Sequence, residues 1–501
     1  MGYEWGMRTV VERERKFECP ADFQVPDLLG DGIAALGDPV VIKLDATYYD
    51  TPRLRLTRGA LALRRRTGGA DQGWHLKVGA AGGARTEHQR ALTRGRQPPA
   101  DLMRLVRGAS RGEPVEPVAR VETRRREWQL RDADGVVLAS LADDAVVGHD
   151  LVDGGRTAWH EIEVELVDGD EEVLDEVERR LRAAGAVPGS PAKIRRVLDD
   201  RLRDLTAIDA GAATPVFAYA AATRDSLVAH EPAARAGDVD GVHDMRVAVR
   251  RLRSTFRSFR ALWDQDRIEG VRAELKWLGE QLGGVRDAQV MGPRLARAVR
   301  LEPDDLVLGP VAADLAEHFA ADESAALTRL RRALSSPRYV ELLSTLDDVV
   351  EAPPATEVGP RWVNKRIHRA VRRADGLLDT ALERQSDGGV GDDDPALHEA
   401  RKAYKRGRYA VEVRQRSGDK GAKRLVRGLK GLQDLLGDHQ DSVITRQVLR
   451  DLGERAYARR ANAFTYGVLY AEQAAHGRSL VAKLPAAQAK ARRRKSRRWL
   501  R

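Results

Sequence analysis

Three runs of alternating charge stand out in the first half of the chain. Glu12, Glu14 and Lys16 fall at spacing two in VVERERKF. Glu161, Glu163 and Glu165 do the same in HEIEVEL, with Ile162 and Val164 between them, and so do Arg64 and Arg66 in LRRR. On an extended strand, residues two apart point to one side. Three carboxylates in one row repel each other unless cations intervene. Carboxylate oxygens suit hard divalent ions such as Mg²⁺ or Mn²⁺, whereas guanidinium and ammonium groups suit phosphate oxygens. Lys77 in WHLKV, the pair Arg85 and Glu87, and the neighbours Asp143 and Asp144 extend both sets. One such row is ordinarily a solvated face. Several rows of both signs on successive strands suit a metal–phosphate complex.

These rows lie in a strand-rich region, residues 1–205, punctuated by turn signals at 51–53, 67–73, 79–84, 132–135 and 152–155. A single helix is expected there, over 171–184, stopped by Gly185. From about residue 206 onward, Ala/Arg/Leu/Glu segments with helical spacing dominate. Residues 206–214 read as a linker, 215–485 as a helical domain and 486–501 as a basic tail expected to fray.

The helical region repeats itself. VHDMR at 242–246 and RRLR at 250–253 align with LHEAR at 397–401 and KRGR at 405–408, an offset of 155. LKWL at 275–278, Leu282-Gly283 and Arg286-Asp287 align with LKGL at 429–432, Leu436-Gly437 and Gln440-Asp441, an offset of 154. Two matched blocks in one order predict two copies of one helical unit, packed together. In the first copy, His243, Arg246, Arg250, Arg253, Arg257 and Arg260 follow helical steps of three and four, beside an apolar stripe of Met245, Val249, Leu252, Phe256 and Phe259. His398, Arg401, Lys405 and Arg408, flanked by Lys402 and Arg406, repeat the basic line. Like charges at these spacings destabilise an isolated helix. A bound polyanion would relieve them, and the recurrence of the line favours that reading over a solvated face. Gly407 stands where the first copy has Leu252, which predicts a locally weaker second helix.

The 501 residues require at least two domains. The net charge of +10 favours polyanionic partners. The single cysteine, Cys19, excludes a disulfide within the chain and fits a reducing compartment, so a cytoplasmic location is expected. Charged residues interrupt the N-terminus before any signal-peptide apolar region, and no apolar run reaches the roughly 18 residues of a membrane span, so no membrane partner is expected. No GxxxxGK[ST] phosphate loop occurs, and no stacking-aromatic pattern supports nucleic-acid binding.

The ordered motifs of the first 200 residues resemble the CYTH, or triphosphate tunnel metalloenzyme, superfamily: ExExK at 12–16, LRRR at 63–66, HLK at 75–77, RTE at 85–87, TRR at 123–125, LADDAV at 141–146, EIEVEL at 161–166 and AKIRR at 192–196. The resemblance implies an antiparallel β-barrel with flanking helices and a charged lumen, in an α+β two-domain chain. It implies catalysis by Glu12, Glu14 and Lys16, and divalent metal (Mg²⁺ or Mn²⁺) on Glu12, Glu14, Asp144 and two of Glu161, Glu163 and Glu165. It places the triphosphate on Lys16, Arg64, Arg66, Lys77, Arg125 and Lys193, with Arg124 and Arg126 as rivals of Arg125. The family often carries Ser before the late lysine, where this chain has Ala192.

VHDMRVAVRRLRS and LHEARKAYKRGRY, with LGGVRDAQV and LGDHQDSV, resemble the CHAD domain. That resemblance, over about 215–480, implies two helical-bundle halves binding inorganic polyphosphate through His243, Arg246, Arg250, Arg253, Arg257, His398, Arg401, Lys402, Lys405 and Arg408, and an association with polyphosphate granules. The leading expectation is metal-dependent hydrolysis of inorganic triphosphate or an organic triphosphate. A non-catalytic polyphosphate-binding protein and a class IV adenylate cyclase are the alternatives.

Overall fold

The computed structural model describes residues 8–79, 84–189, 192–210, 215–351, 358–386, 395–416 and 418–500. The chain forms two compact units, Met1–Gly211 with Val228–Pro232, and Ala212–Leu227 with Ala233–Arg501. Most of the turn expected at 79–84, and residues 211–214 of the expected linker, lie outside the described residues; the rest of that linker continues the helix Asp199–Ala210.

The first unit is built on one antiparallel sheet. Its strands are β1 (Arg8–Cys19), β2 (Ala35–Leu36), β3 (Val40–Asp50), β4 (Leu61–Thr67), β5 (Gly73–Gly79), β6 (Ala84–Arg90), β7 (Glu116–Arg131), β8 (Val137–Asp150), β9 (Arg156–Leu166) and β10 (Val187–Pro188). The order β1-β6-β5-β4-β3-β7-β8-β9 returns to β1. One strand makes the closure. Arg8–Arg13 of β1 pair with β6, and Glu14–Cys19 pair with β9.

Alternation then sorts the side chains. Outward-facing Phe17, Leu141, Ile162 and Val164 pack beneath Leu174, Val177 and Leu181 of the helix Glu171–Ala183, which begins on an Asp170 cap and ends one residue before the expected 184. The charged rows face inward. One end of the lumen is apolar: Ala46, Tyr48, Val121, Val146 and Trp159 enclose Ile194, Leu198 and Leu202, which follow Lys193 on the chain. The helix Ala100–Ser110 was not anticipated from the sequence, although Leu102, Val106 and Ala109 give it a buried stripe.

The second unit bears out the repeat. Helices Val239–Ser258, Gln265–Leu301 and Val311–Leu334, of 20, 37 and 24 residues, recur as Pro395–Arg416, Lys420–Ala458 and Phe464–Ala491, of 22, 39 and 28. Met245, Val249, Leu252, Phe256 and Phe259 are all fully buried. The helix Pro395–Arg416 runs unbroken through the buried Gly407, which packs beside Val371. The C-terminal segment corrects the expectation of a frayed tail. Residues up to Ala491 continue the last long helix, and Leu500 is buried. Arg497 pairs with Asp375, Asn364 donates to the Trp499 carbonyl, and the Trp499 ring lies against Gly421.

Gly148 is an inward position on β8. A Cβ there would stand 2.3 Å from Val197 and 3.2 Å from the Trp159 ring. Gly148→Ala is expected to lower the melting temperature, since overpacking costs about 1–3 kcal/mol. An unchanged thermal melt would show that the helix bearing Lys193 is not packed against β8 as described.

Candidate tunnel and anion-binding seam

The register of the sheet brings the sequence rows together. On one wall Asp144 of β8 stands opposite Arg125 of β7 and Glu161 of β9, and Lys16 of β1 stands opposite Glu163 of β9. Ligand atoms of Asp144, Glu161 and Glu163 lie within 4.8 Å of one another. Arg125 donates in bidentate fashion to Asp144, both bonds 2.8 Å, and reaches Glu163 at 2.6 Å. Register also settles the arginine run. Arg126 is on the outer face with Asp143, which also meets His160, and Arg124 is exposed.

Lys193 enters from the first position of the short helix Lys193–Val197. Its ammonium is 2.5 Å from Glu161, 2.8 Å from Glu163 and 3.0 Å from Asp144. A cation at a helix N-terminus opposes the helix dipole, so the lumen carboxylates, and not the helix, account for a lysine here. Ala192 caps without a side-chain bond. Trp159 Nε1 donates to Glu161 Oε2 at 2.6 Å, while Glu161 Oε1 is buried and receives no directed hydrogen bond despite the nearby ammonium. Lys16 pairs with Glu163 and lies 3.4 Å from Glu14.

The opposite wall carries Arg64, Arg66, Lys77, Glu12 and Glu87. Lys77 lies 2.6 Å from Glu12 and 3.7 Å from Glu87. Arg64 lies 3.7 Å from Glu87, and Arg66 pairs with Asp71. His75 Nδ1 meets Glu87 at 2.6 Å, and its Nε2 lies 2.9 Å from the Asp71 carbonyl oxygen. His75 was not singled out from sequence, although its spacing of two from Lys77 placed it on the same face. Glu165 stands apart from the carboxylate trio, opposite Glu14, in the field of Lys77 and Glu87.

Electrostatics divide the acids. Burial would raise Glu163, but Lys16, Lys193 and Arg125 hold it well below the ordinary carboxylate value. Burial likewise acts on Asp144, and Lys193 and Arg125 outweigh it to hold that carboxyl down. Lys193 is raised well above its ordinary value, because Glu163, Asp144 and Glu161 overcome its burial. Burial and a hydrogen bond with Glu87 push Glu12 up to about 8. Thus Asp144 and Glu163 stay ionised while Glu12 holds a proton at neutral pH.

In the second unit, the two histidine helices meet along their basic faces. Arg246 lies 3.6 Å from Asp287, and the equivalent Arg401 lies 4.0 Å from Asp441. Burial lowers Arg250, in the field of Arg246, Arg408 and Arg251. Burial, with Arg401, Arg250 and Arg246, pushes Lys405 down to about 7. Burial and Arg286 lower His243, while His398 bonds Gln440, the repeat counterpart of Arg286. Arg250 Nε, Arg401 Nε and Tyr409 Oη are buried without hydrogen-bond partners. Arg408 is engaged by Gln433 and Glu412. The remaining residues diverge: Lys402 pairs with Glu399, Arg253 faces Arg272 and Glu280, and Arg257 is exposed.

Residues 11–196 match the CYTH domain and residues 218–450 the CHAD domain. The uncharacterised protein Rv2226 of Mycobacterium tuberculosis is 35% identical over 484 residues, 93% of each chain. The chain belongs to the CYTH–CHAD family. Among solved structures, this CYTH–CHAD protein is similar to PptA from Streptomyces chartreusis (19% identity, 55% of this chain and 98% of that one, TM-score 0.45). It is also similar to the CHAD domain from the plant Ricinus communis (25% identity, 55% and 90% covered, TM-score 0.41). The CYTH unit thus has a tunnel fold with three acidic residues able to coordinate a divalent cation, as in a triphosphate tunnel metalloenzyme. Among the described residues, no helix is long and apolar enough to cross a membrane.

The raised Glu12 has a consequence for stability. Its ordinary value is 4.5 and its value in the fold is about 8. Between the two, the unfolded chain is ionised and the folded chain is not, so the fold loses stability as pH rises through that window. Glu12→Gln removes the titration. Its melting temperature should gain on the wild type as pH rises from about 5 to about 9, and a pH-independent difference would contradict this.

Proposed function

We propose that the tunnel hydrolyses a triphosphate-like substrate, inorganic triphosphate first among them, and that the CHAD seam binds inorganic polyphosphate. The observation that carries the first part is the pairing of a tight carboxylate trio with facing basic rows in one buried lumen. The buried Glu161 oxygen without a directed hydrogen bond, beside Asp144 and Glu163, fits a hard cation. These three would hold Mg²⁺ or Mn²⁺, with Glu14 adjoining across Lys16; Glu12 and Glu165, also expected as ligands, belong to the wall of Lys77 and Glu87. A divalent cation there would supply charge neutralisation at phosphate oxygens and a more acidic water.

The chain's own residues orient the rest. Arg64, Arg66 and Lys77 present donors along one wall, where a row of phosphate oxygens would replace their contacts with Glu87 and Asp71. Arg125, fixed by its fork on Asp144, is preorganised to stabilise charge that develops in the transition state. Lys16 stands between Glu14 and Glu163, at the join of the acidic and basic sets. The apolar floor around Trp159 excludes water from one end.

Phosphate release from inorganic triphosphate, ATP and thiamine triphosphate, with Mg²⁺ or Mn²⁺, tests the reading. Activity should vanish on chelation, fall to background in Glu14→Gln, and fall roughly 10²–10³-fold in Arg125→Ala, the scale of losing one transition-state donor. Release of orthophosphate, not pyrophosphate, from ATP separates hydrolysis from cyclisation. No release from any substrate would leave the tunnel a binding site only.

Support for the second part comes from the buried Arg250 Nε, Arg401 Nε and Tyr409 Oη, which lack partners beside Lys405. Lys405 titrates near 7 against an ordinary 10.5, and a bound polyanion favours its charged form. Polyphosphate affinity should therefore fall as pH rises above about 7. Lys405→Arg, charged throughout, should flatten that profile, as filter-binding or calorimetry would show. A cytoplasmic location beside polyphosphate granules accords with this reading.

A further inference from the structure

The ammonium of Lys193 occupies a singular place. It touches Asp144, Glu161 and Glu163 together, at 3.0, 2.5 and 2.8 Å. Those three carboxylates are the one group among the described residues spaced to hold a metal ion. Mg²⁺ accepts oxygen ligands at about 2.0–2.1 Å. An ion so placed would share oxygens with Nζ and stand within about 5 Å of it. Two cations at that separation repel strongly, and more so in a buried lumen than in water. The metal and the ammonium therefore compete for the trio.

Of the three cations around the trio, Lys193 alone contacts all three carboxylates; Lys16 reaches Glu163 and, beyond the trio, Glu14. Arg125 is locked by two parallel bonds to Asp144 and sits within the long strand β7. Lys193 begins a helix of five residues, and its flexible four-carbon stem can carry the charge elsewhere. The stem is anchored at its base, because Ile194 and Leu198 are held in the apolar floor. The ammonium can thus swing while the backbone stays, and the space it can sweep is the lumen where Arg64 and Lys77 face the substrate position.

Resting on the metal and triphosphate reading above, we propose that Lys193 is a resident counter-ion that the divalent cation displaces, and that the released ammonium becomes a phosphate contact. Before metal enters, Lys193 keeps three mutually repelling carboxylates together. After metal enters, the same charge is delivered to the substrate. Metal loading and phosphate binding are then coupled, each favouring the other, and the tunnel gains its full positive complement only when loaded.

Two measurements on the full chain test this, neither of which needs turnover. The first is acetylation of Lys193 by acetic anhydride, read by peptide mass spectrometry, with and without Mn²⁺. An amine tied to three carboxylates reacts slowly. Mn²⁺ alone should raise Lys193 labelling several-fold, and inorganic triphosphate added with EDTA in place of Mn²⁺ should not. The second is Mn²⁺ affinity by calorimetry without phosphate. Lys193→Gln should bind Mn²⁺ roughly ten-fold or more tightly than wild type, because a competing like charge is gone. If Mn²⁺ binds the wild type yet leaves Lys193 labelling unchanged, or if Lys193→Gln weakens Mn²⁺ binding, the counter-ion role is overturned while the metal site stands. If Mn²⁺ binds neither protein, both this inference and the metal reading fall.

Discussion

Charge taken out of water must be matched, and the CYTH barrel is organised by that requirement. Asp144, Glu161 and Glu163 are brought within 4.8 Å of one another in a lumen, an arrangement that would be prohibitive alone. Lys193, Arg125 and Lys16 make it tolerable, and each comes from a different element: the short helix at the floor, β7 and β1. The barrel is what allows the elements to converge. A flat sheet could not let Arg64 on β4 feel Glu163 on β9, as it does here. The apolar cluster beneath Trp159 then keeps water from screening these charges at one end.

The CHAD unit meets the opposite condition. Its seam gathers Arg246, Arg250, Arg401 and Lys405, with Asp287 3.6 Å from Arg246 and Asp441 4.0 Å from Arg401. Duplication explains the symmetry, since each half contributes one histidine helix and one Arg–Asp pair. The cost appears as a depressed Lys405 and as buried donors without acceptors. One unit thus balances buried charge internally, and the other leaves an excess that an anion would complete.

Much of this was legible in the sequence, because strand alternation and helical steps report faces directly. That the charged residues of β1, β4 and β9 share a face follows from spacing; that this face lines a lumen came from the family resemblance. What spacing leaves open is which of two adjacent residues faces in. In TRRR, only the pairing of Arg125 with Asp144 across β7 and β8 decides it. His75 was not singled out, because spacing marks its face but not the Glu87 carboxylate and Asp71 carbonyl that it meets. Which of Glu161, Glu163 and Glu165 stand beside Asp144 depends on the register, which sets Glu165 opposite Glu14 and in the field of Lys77. The C-terminal segment was misread because composition is local. Its basic residues suggest solvent, whereas Arg497, Trp499 and Leu500 find Asp375, Gly421 and the core far away in the chain.

The division of β1 between two partners has a further meaning for how such a chain can change. Arg8–Arg13 are in register with β6 and Glu14–Cys19 with β9, so a single strand sets the phase of both edges of the closure. Inserting or deleting one residue near Glu14 would rotate every later side chain to the other face. Lys16 would leave the lumen and Phe17 would enter it. Residues along β1 can therefore be exchanged one at a time, whereas a change in the strand's length there would dismantle the tunnel.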